Sequence, residues 1–502
     1  MVSCRSSFVE PRPGKAHRGS LAKEQEGIVA FFPKSGLFIL VMSVAALAGA
    51  TATHAGSGTT TLVSVSTEGV QGDAISQAAS VSADGRFVTF VSDATTFVPG
   101  DQNFTFDLFV RDRQELLTTR DSISAASSEG NSWSGTGSIS ADGRFVAFSS
   151  GASNLAPEDT NEAPDIFVHD RVTGDTERAS LASSGEQGNG WSVAPAISAD
   201  GRFVAFRSDA TNLVAGDTNG VGDVFVHDRE TGETRRVSVS SLGEQANNFS
   251  EGATISGDGR FVAFHSFATN LVPEDTNARP DVFVHDLASG VTELVSVSSA
   301  GVLGDGSSFA PSITPDGSVV AFASLAQNLV GGDTNGEADI FVRDRASGTT
   351  QRVSLSTGGA QGNGRSDLPS ISADGDRIAF QSLANTLVEG DTNNAQDIFL
   401  NDRATGETTR VSVSTPSLVL PRDEANGPSF SPAISADGML IAFSSLASNL
   451  VDFDLNEWGD VFAYDLHPTV PFGWKPFNSR ATNRAGTKLP PTAAFRLYSV
   501  QG

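Results

Sequence analysis

Acidic and amide side chains recur at one fixed spacing along the chain, in the pattern Asp-x-Asn-x-x-x-Asp. Two acids and an amide placed so closely in a loop supply the oxygen ligands that a hard cation such as Ca²⁺ prefers. Ca²⁺ is the one cofactor that the sequence suggests, and the triads of the second to sixth units are its candidate ligands. The seven triads are Asp101/Asn103/Asp107, Asp159/Asn161/Asp165, Asp217/Asn219/Asp223, Asp275/Asn277/Asp281, Asp333/Asn335/Asp339, Asp391/Asn393/Asp397 and Asp454/Asn456/Asp460.

The same triads have a second interpretation that needs no ion. Asp and Asn side chains bond the backbone of their own turn, and the last Asp of each triad can simply begin a strand. Against this, seven loops with two acids each would repel one another on a single rim, which favours a cation between them. Both interpretations stay open at the level of the sequence.

A second set of residues breaks the repeat rather than following it. Large aromatic residues occupy one loop position in three consecutive units, as Trp133, Trp191 and Phe249. Arg207 and His265 stand at the end of a strand in the units that carry Trp191 and Phe249. An aromatic arc with two polar groups suits a sugar, a peptide strand or a loop of a partner protein. The alternative is that the aromatic rings pack between neighbouring units.

The elements that carry these residues belong to a 58-residue repeat. Its clearest marker is Ser-Ala-Asp-Gly followed by a short apolar run, and the first six marker aspartates are each 58 residues apart. A fixed period of this size indicates a solenoid, a propeller or an array, because one unit cannot bury its own apolar face. The marker aspartates are Asp84, Asp142, Asp200, Asp258, Asp316, Asp374 and Asp437.

Each unit is predicted to be four antiparallel strands. In one unit the strands are predicted at 194–198, 202–207, 223–228 and 234–240, and they are rich in Val and Phe. The Asp-Gly pair of the marker suits the tight turn between the first two strands, because its residues tolerate positive φ. Four such strands form a propeller blade.

The ends of the array predict how the ring closes. A strand of the fourth type, 61–66, precedes the first marker, and the array ends at a strand of the third type, 460–465. The first strand is therefore expected to complete the last blade and remove both exposed sheet edges. The predicted fold is all-β: a single seven-bladed β-propeller with four antiparallel strands per blade and 3+1 closure by the N-terminal strand.

The Ser-x-Asp-Gly turn makes residues 60–466 resemble the TolB-type, WD-repeat-like propellers. The turn is kept at Thr314-Pro315-Asp316-Gly317, and the Arg that usually follows its Gly is replaced at Asp376 and Met439. The loop pattern Gly-Asp-Thr-Asn-Gly is also similar to the calcium loops of FG-GAP propeller repeats, but it lacks the acid at their fifth position. Neither the N-terminal α/β domain of TolB nor the hydrolase domain of prolyl-oligopeptidase relatives is seen. The resemblance implies a propeller fold and an extracytoplasmic binding role, with no specific activity.

The balance of charge excludes one class of partner. The chain carries a formal net charge of −26, and residues 56–466 hold 22 basic and 56 acidic residues. A surface so negative repels phosphate backbones, so a nucleic-acid partner is not expected. Cysteine is confined to Cys4, so the mature body is expected to have neither a disulfide nor a free thiol.

Two terminal segments fall outside the repeat. Residues 36–50 form an apolar run followed by small residues, which is typical of a secretory signal and short for a membrane span. We therefore expect 1–55 to be a cleaved targeting segment, 56–466 the propeller and 467–502 an irregular, disordered tail. An uncleaved anchor is the alternative at the N-terminus. The expected location is extracytoplasmic: periplasmic, secreted or at the cell surface, with no stable membrane span after processing.

The sequence contains no recognisable catalytic arrangement. His169, His227 and His285 lie one per unit on equivalent strands, too far apart to share one metal ion, and each is expected to be a core histidine. No Ser–His–Asp set, phosphate-binding loop or Cys/His zinc spacing occurs. We therefore predict a monomeric, non-enzymatic binding module for a protein partner or a surface glycan, with no catalytic residues. The alternatives are a propeller-type polysaccharide lyase or hydrolase, with His265 as its candidate, and a calcium-stiffened structural protein.

Overall fold

Strands and turns make up the whole of the described chain. The computed structural model describes residues 58–415 and 423–466, so the predicted targeting segment 1–55 and tail 467–502 lie outside the described residues. Within the described ranges there are 28 strands in seven sheets of four antiparallel strands each. No helix in these ranges is long and apolar enough to cross a membrane. The prediction of a seven-bladed propeller is confirmed.

The four strands of a blade run in chain order, and the first strands contact one another all round the ring. The first strands are Ser76–Val81 (β2), Ser134–Ile139 (β6), Ser192–Ile197 (β10), Ser250–Ile255 (β14), Ser308–Ile313 (β18), Ser366–Ile371 (β22) and Ser429–Ile434 (β26). The second strands are Phe87–Ser92 (β3), Phe145–Ser150 (β7), Phe203–Ser208 (β11), Phe261–Ser266 (β15), Val319–Ser324 (β19), Arg377–Ser382 (β23) and Leu440–Ser445 (β27).

The third and fourth strands complete each blade on its outer side. The third strands are Asp107–Asp112 (β4), Asp165–Asp170 (β8), Asp223–Asp228 (β12), Asp281–Asp286 (β16), Asp339–Asp344 (β20), Asp397–Asp402 (β24) and Asp460–Asp465 (β28). The fourth strands are Leu117–Arg120 (β5), Thr176–Arg178 (β9), Glu233–Arg236 (β13), Val291–Leu294 (β17), Thr349–Arg352 (β21), Glu407–Arg410 (β25) and, in blade 7, Thr59–Leu62 (β1).

The fourth strands are shorter than the sequence predicted. The strand predicted at 234–240 ends at Arg236: Val237 still donates its N–H to Val224 of the third strand, and the chain then turns, with the N–H of Val239 bonded to the carbonyl of Val237. Ser238, two residues after the end of the strand at Arg236, turns its hydroxyl inward and donates a 2.6 Å hydrogen bond to the carboxylate of Asp223. The serine therefore anchors the acid of the third strand instead of extending the sheet.

The core lies between blades rather than within them. Seven clusters of buried apolar residues each join side chains of two neighbouring blades, such as Val224 of blade 3 and Phe264 of blade 4. In every blade a Phe of the second strand packs on a Phe of the third, as in Phe206 and Phe225, whose ring centroids are 6.0 Å apart. Burial of such rings contributes about 2–3 kcal/mol each, so the blades stabilise one another only as a ring.

The marker turns tie neighbouring blades together. The marker Asp accepts hydrogen bonds from the serine (threonine in blade 5) two residues before it and from the N–H two residues after it, as Asp142 does from Ser140 and Arg144. The residue before each marker Asp donates its N–H to the same position in the next blade, and Ala436 closes this circuit onto Ala83. One link is missing at Pro315, because proline has no N–H to donate to the following blade.

Closure of the ring follows the predicted 3+1 arrangement. The N-terminal β1 pairs antiparallel with β28, from Thr59 opposite Asp465 to Leu62 opposite Phe462. Thr60 also donates its hydroxyl to the backbone of Val413 in blade 6. The first and last segments of the propeller are thus held in one sheet, and the edge of the last blade is covered.

Two sets of long loops emerge on one side of the ring. In blade 1 the second strand ends at Ser92, opposite the first residue of both the first and the third strand. The second-to-third loops (93–106 in blade 1) and the fourth-to-first loops (121–133) therefore meet at the same edge of the sheets. We call the surface formed by these loops in all seven blades the long-loop face.

Candidate functional site

The Asp-x-Asn-x-x-x-Asp triads lie buried beneath the long-loop face. In blade 3 the amide nitrogen of Asn219 donates to Asp223 at 3.1 Å, and its amide oxygen accepts the backbone N–H of Val221 at 3.1 Å. The other six asparagines make the same two contacts. The asparagine of each triad therefore acts as a turn cap, with its oxygen engaged by the backbone.

This geometry supports the turn-capping interpretation of the asparagines over their interpretation as calcium ligands. A ligand must turn an oxygen toward the ion, whereas each of these side chains turns its NH₂ group toward the acid and its oxygen toward the backbone. Asn161, for example, donates to Asp165 at 3.2 Å and accepts the N–H of Ala163 at 2.9 Å. The asparagines that leave the predicted ligand set, each accepting the N–H two residues later at 2.7–3.1 Å, are Asn161, Asn219, Asn277, Asn335 and Asn393.

In five blades an arginine of the fourth strand lies between the two acids of the triad. Arg352 places one guanidinium nitrogen 3.3 Å from Asp333 and 3.3 Å from Asp339, and its side chain is buried. A guanidinium between two carboxylates offsets one of their two negative charges inside the loop. The five arginines are Arg120, Arg178, Arg236, Arg352 and Arg410.

These arginines take the place that the sequence assigned to a cation. A guanidinium and a metal ion would compete for the same carboxylate oxygens, and the arginine is covalently tethered beside them. Of the five loops predicted to hold Ca²⁺, four therefore already contain their positive charge. The acids of these four loops are Asp159 and Asp165, Asp217 and Asp223, Asp333 and Asp339, and Asp391 and Asp397.

A glutamine of the fourth-to-first loop completes the cluster in three of the five blades with an arginine. In blade 3 the amide nitrogen of Gln245 donates to Asp217 at 2.8 Å and to Asp223 at 3.1 Å. In blades 1 and 6 a glutamate stands there instead. Glu129 lies 2.7 Å from Arg120, and Glu424 lies 2.8 Å from Arg410. Three carboxylates then surround one guanidinium.

The third carboxylate adds to the repulsion between acids in blade 1. Burial, together with the neighbouring Asp107, raises the pKa of Asp101 to about 6. Glu129 and Asp73 also raise the pKa of Asp101, and Arg120 opposes them. Asp101 therefore keeps its proton in the folded protein at a pH where the unfolded chain has lost it.

The pKa of Asp101 predicts a loss of stability with rising pH. Its folded pKa lies above the ordinary 3.8, so its contribution to folding falls between about pH 4 and pH 6 and is flat above that range. We expect Glu129→Gln to reduce this fall by about 0.5–1 kcal/mol, since one repelling charge is removed. Urea unfolding from pH 4 to pH 7 measures how the free energy of unfolding changes with pH, and the variant Glu186→Gln, at an exposed position, is the control. If the free energy of unfolding falls equally with pH in the two variants, Glu129 does not raise the pKa of Asp101.

Two of the three predicted aromatic residues lie open on the long-loop face. The side chain of Trp133 is 37% exposed and that of Trp191 is 59% exposed. Phe249 is only partly exposed, because it stacks on Phe267 with ring centroids 4.1 Å apart. The structure thus leaves two tryptophans available to a ligand, while the packing interpretation suits Phe249.

Further large apolar residues of the same face were missed in the sequence. Trp458 is 52% exposed in blade 7, beside the exposed Phe453 and Leu455, and Phe104 is exposed in blade 1. All four lie in second-to-third loops, at positions where other blades carry smaller or polar residues. The signal was a departure from the repeat, as it was for Trp133. Every tryptophan of the described residues is therefore exposed on this one face.

Two of these residues, both phenylalanines, have unusual backbones. Phe104 has a φ of 52° and Phe453 a φ of 67°, in the left-handed region that large side chains rarely adopt. Such a conformation costs on the order of 1 kcal/mol, and the equivalent positions of Phe453 in blades 1, 3, 5 and 6 are glycines. The other six blades also have a positive φ at the position of Phe104, so the conformation there belongs to the repeated loop; at Phe453 an exposed ring stands where four blades have glycine.

Arg207 and His265 are brought together by an acid that the sequence did not single out. Glu251 of the first strand in blade 4 lies 3.4 Å from the Nε2 atom of His265 and 3.9 Å from Arg207 of blade 3. The hydrogen bond from His265 holds the pKa of Glu251 below its ordinary value. Arg207 also pairs with Asp209 at 2.7 Å. The Nδ1 atom of His265 and the Nε atom of Arg207 are buried without a hydrogen-bond partner among the described residues, and the His265 ring lies against Gly252.

Two clefts of the described chain differ in the residues that line them. A cavity of about 210 Å³ between blades 1 and 2 of the long-loop face is lined by Val91, Phe106 and Trp133. A larger one of about 340 Å³, on the opposite face between blades 3 and 4, contains Arg202 and Arg260, which are already paired with acids of their own blades. The smaller cleft presents apolar side chains that a ligand could cover, whereas the arginines of the larger cleft are already paired. The smaller cleft is therefore the better ligand site.

The three core histidines stay within their own blades. His169, His227 and His285 each bond a threonine of the adjacent fourth strand through Nδ1, at 2.8–2.9 Å. Burial lowers the pKa of all three. Within residues 58–415 and 423–466 no group of three His, Cys, Asp or Glu side chains is placed to hold one metal ion.

Comparison with known proteins shows similarity of fold only. No protein-family model matches the chain, and no curated protein sequence matches it. TolB from Acinetobacter baumannii is 16% identical with a TM-score of 0.36, over 68% of this chain and 64% of that one. The β-propeller domain of the Trilobed protease from Pyrococcus furiosus is 10% identical with a TM-score of 0.46, over 79% of this chain and 99% of that one. An oligogalacturonate lyase in complex with manganese is 12% identical with a TM-score of 0.51, over 82% of this chain and 94% of that one, and shares the propeller fold.

Proposed function

We propose that this protein is an exported, non-enzymatic binding propeller whose long-loop face takes a protein loop or a surface glycan. The observation that carries the proposal is the set of exposed rings on that face, Trp133, Trp191 and Trp458 with Phe104 and Phe453. Aromatic side chains expose a large apolar area with little conformational entropy to lose, so they dominate binding energy at protein and sugar interfaces.

The arrangement of these rings supports an extended ligand. They lie on blades 7, 1, 2 and 3, which are consecutive around the ring, and the cleft beside Trp133 opens within this arc. Arg207, His265 and Glu251 continue the arc into blade 4 with groups that can form hydrogen bonds. The net negative charge of the body favours a neutral or basic ligand. An extracytoplasmic location, expected from the apolar segment at 36–50, suits such a role.

The double variant Trp133→Ala/Trp191→Ala tests the proposal. We expect it to weaken binding of an envelope protein or glycan at least about 100-fold, since each ring is a candidate hot spot worth about 2 kcal/mol. Ligands are first captured from an envelope extract on the immobilised wild-type protein, identified, and then titrated against both forms. The matched control is Val172→Ala/Val291→Ala, which removes exposed apolar side chains at third-to-fourth turns, away from the long-loop face. Unchanged affinity in the tryptophan variant, with an unchanged melting temperature, would rule the face out.

An enzyme acting on acidic polysaccharide is the second candidate, and it rests on the fold shared with the oligogalacturonate lyase. His265 is the residue that such a reaction would use, because Glu251 lies 3.4 Å from its Nε2 atom and orients its ring. Incubation with oligogalacturonate, with and without Mn²⁺, separates the two candidates. Product that forms with the wild-type protein and not with His265→Ala would replace the binding proposal with a lyase.

A further inference from the structure

Blade 4 keeps the two acids of the loop triad but lacks both groups that accompany them elsewhere. The position of the arginine is Leu294, and the position of the glutamine is Leu303. Blade 7 also has a leucine, Leu62, in place of the arginine, but it retains Gln71, which bonds Asp454. Among the seven described loops, only that of blade 4 has neither group.

The consequence is a buried pair of carboxylates without a charged partner. Asp275 is 5% exposed, and neither of its buried oxygens has a hydrogen-bond partner of normal geometry. The backbone of Asn277 is the one polar group that offsets its burial. Asp281 is fully buried as well; it accepts hydrogen bonds from Ser296 at 2.6 Å and from Asn277 at 2.8 Å, and no cation. Two carboxylates beside a leucine are costly to bury unless a positive charge joins them.

The other blades show where that positive charge belongs. In blade 3 one nitrogen of Arg236 lies 3.5 Å from Asp217 and 3.5 Å from Asp223, so the two carboxylates converge on one point. Asp275 and Asp281 hold the same two positions in blade 4, and the leucine of the fourth strand has no donor to offer them. Both groups are oxygen donors of formal charge −1, which is the chemistry of a hard divalent cation.

We propose that Asp275 and Asp281 of blade 4 bind one hard divalent cation, with Ca²⁺ as the test ion, at the position that an arginine guanidinium fills in five other blades. Its protein ligands are the oxygens of Asp275 and Oδ2 of Asp281, the atom equivalent to the Asp223 oxygen that lies nearest Arg236 in blade 3. Asn277 is not a ligand, because its amide oxygen accepts the N–H of Arg279 at 2.7 Å. The proposal narrows the cation sites suggested by the repeat to one blade, and it does not depend on what the long-loop face binds.

Calcium titration of chelator-treated protein tests this site. For the wild-type chain we expect calorimetry to give one bound Ca²⁺, and the unfolding midpoint to rise by about 2–4 °C at a hundredfold excess over Kd. Asp275→Asn should lose both effects, since it removes the charge and keeps the shape. Asp217→Asn is the matched control in blade 3, where an arginine is present, and it should keep both.

Leu294→Arg gives the sharper test, because it supplies blade 4 with the guanidinium of the other blades. It should raise the midpoint of the calcium-free protein and abolish calcium binding. If this variant fails to fold, the proposal is still tested by comparing the calcium responses of Asp275→Asn and Asp217→Asn. The proposal is overturned if millimolar Ca²⁺ neither binds nor shifts the wild-type midpoint, or if Asp275→Asn responds like the wild type. A wild-type midpoint that rises on acidification alone, without any calcium response, would also overturn it and assign a proton to the pair.

Discussion

Deleting residues 58–66 is expected to lower the free energy of unfolding by more than about 4 kcal/mol. The deletion removes β1 from its antiparallel pairing with β28 and takes Val63, which is fully buried, out of the core between blades 7 and 1. It also removes the hydroxyl of Ser64, which donates a 2.5 Å hydrogen bond to the buried Asp460. Urea denaturation at pH 7 measures the loss.

The exposed edge of β28 provides a control for this deletion. A synthetic peptide of residues 58–66, added in trans, should restore part of the stability, because it can pair with the open edge as an added strand. A peptide with the same composition in scrambled order should not. If the truncated chain unfolds at the same denaturant concentration as the full chain, β1 does not close the ring in solution.

Replacing Arg352 by leucine is expected to destabilise the protein by about 3 kcal/mol at pH 7. The change leaves Asp333 and Asp339 buried without the guanidinium that now lies 3.3 Å from each, while Gln361 still bonds both acids. Removing one partner of a buried ion pair is far more damaging than removing a surface pair, since the remaining charge stays desolvated. Chemical unfolding in the presence of chelator gives the value.

A surface arginine supplies the comparison for this variant. Arg235 pairs with Glu233 at 2.7 Å, but both side chains are about half exposed, so Arg235→Leu should cost less than about 0.5 kcal/mol. The double variant Arg352→Leu/Gln361→Leu copies the residues of blade 4 and should destabilise more than Arg352→Leu alone. Equal stability of Arg352→Leu and Arg235→Leu would show that the buried arginines do not stabilise their loops.

The architecture was accessible from the sequence because every blade repeats one local pattern. The marker turns showed the number of blades, and the orphan strand before Asp84 predicted closure, since an unpaired sheet edge at each end is unfavourable. The same repetition limits what the pattern can say about chemistry. The asparagine of each triad recurs in all seven loops, and the pattern left open whether it binds calcium or caps its turn. Asn161, Asn335 and Asn393 cap their own turns, as the others do. Which end of an amide faces an acid is not visible in the spacing of residues.

The partners of the acids were not accessible in this way. Arg352 reaches Asp333 from the fourth strand, 19 residues further along the chain, and Gln361 reaches the same acid from the following loop. Only the fold of the blade brings the three together. Trp458 and Phe453 carry the same kind of signal in the sequence as Trp133, because each departs from the smaller or polar residues that other units have at its position.

By itself the sequence determined the repeat, the strand order and the closure, because these follow from the spacing of apolar residues and turns along the chain. The tertiary structure alone decided which acids are neutralised and which are not. The arginine of five blades, and the leucine that replaces it beside Asp275, act through contacts between strands that are distant in the chain. The charge of a buried carboxylate depends on the groups around it in space, so the candidate cation site could be recognised only once the blade was folded.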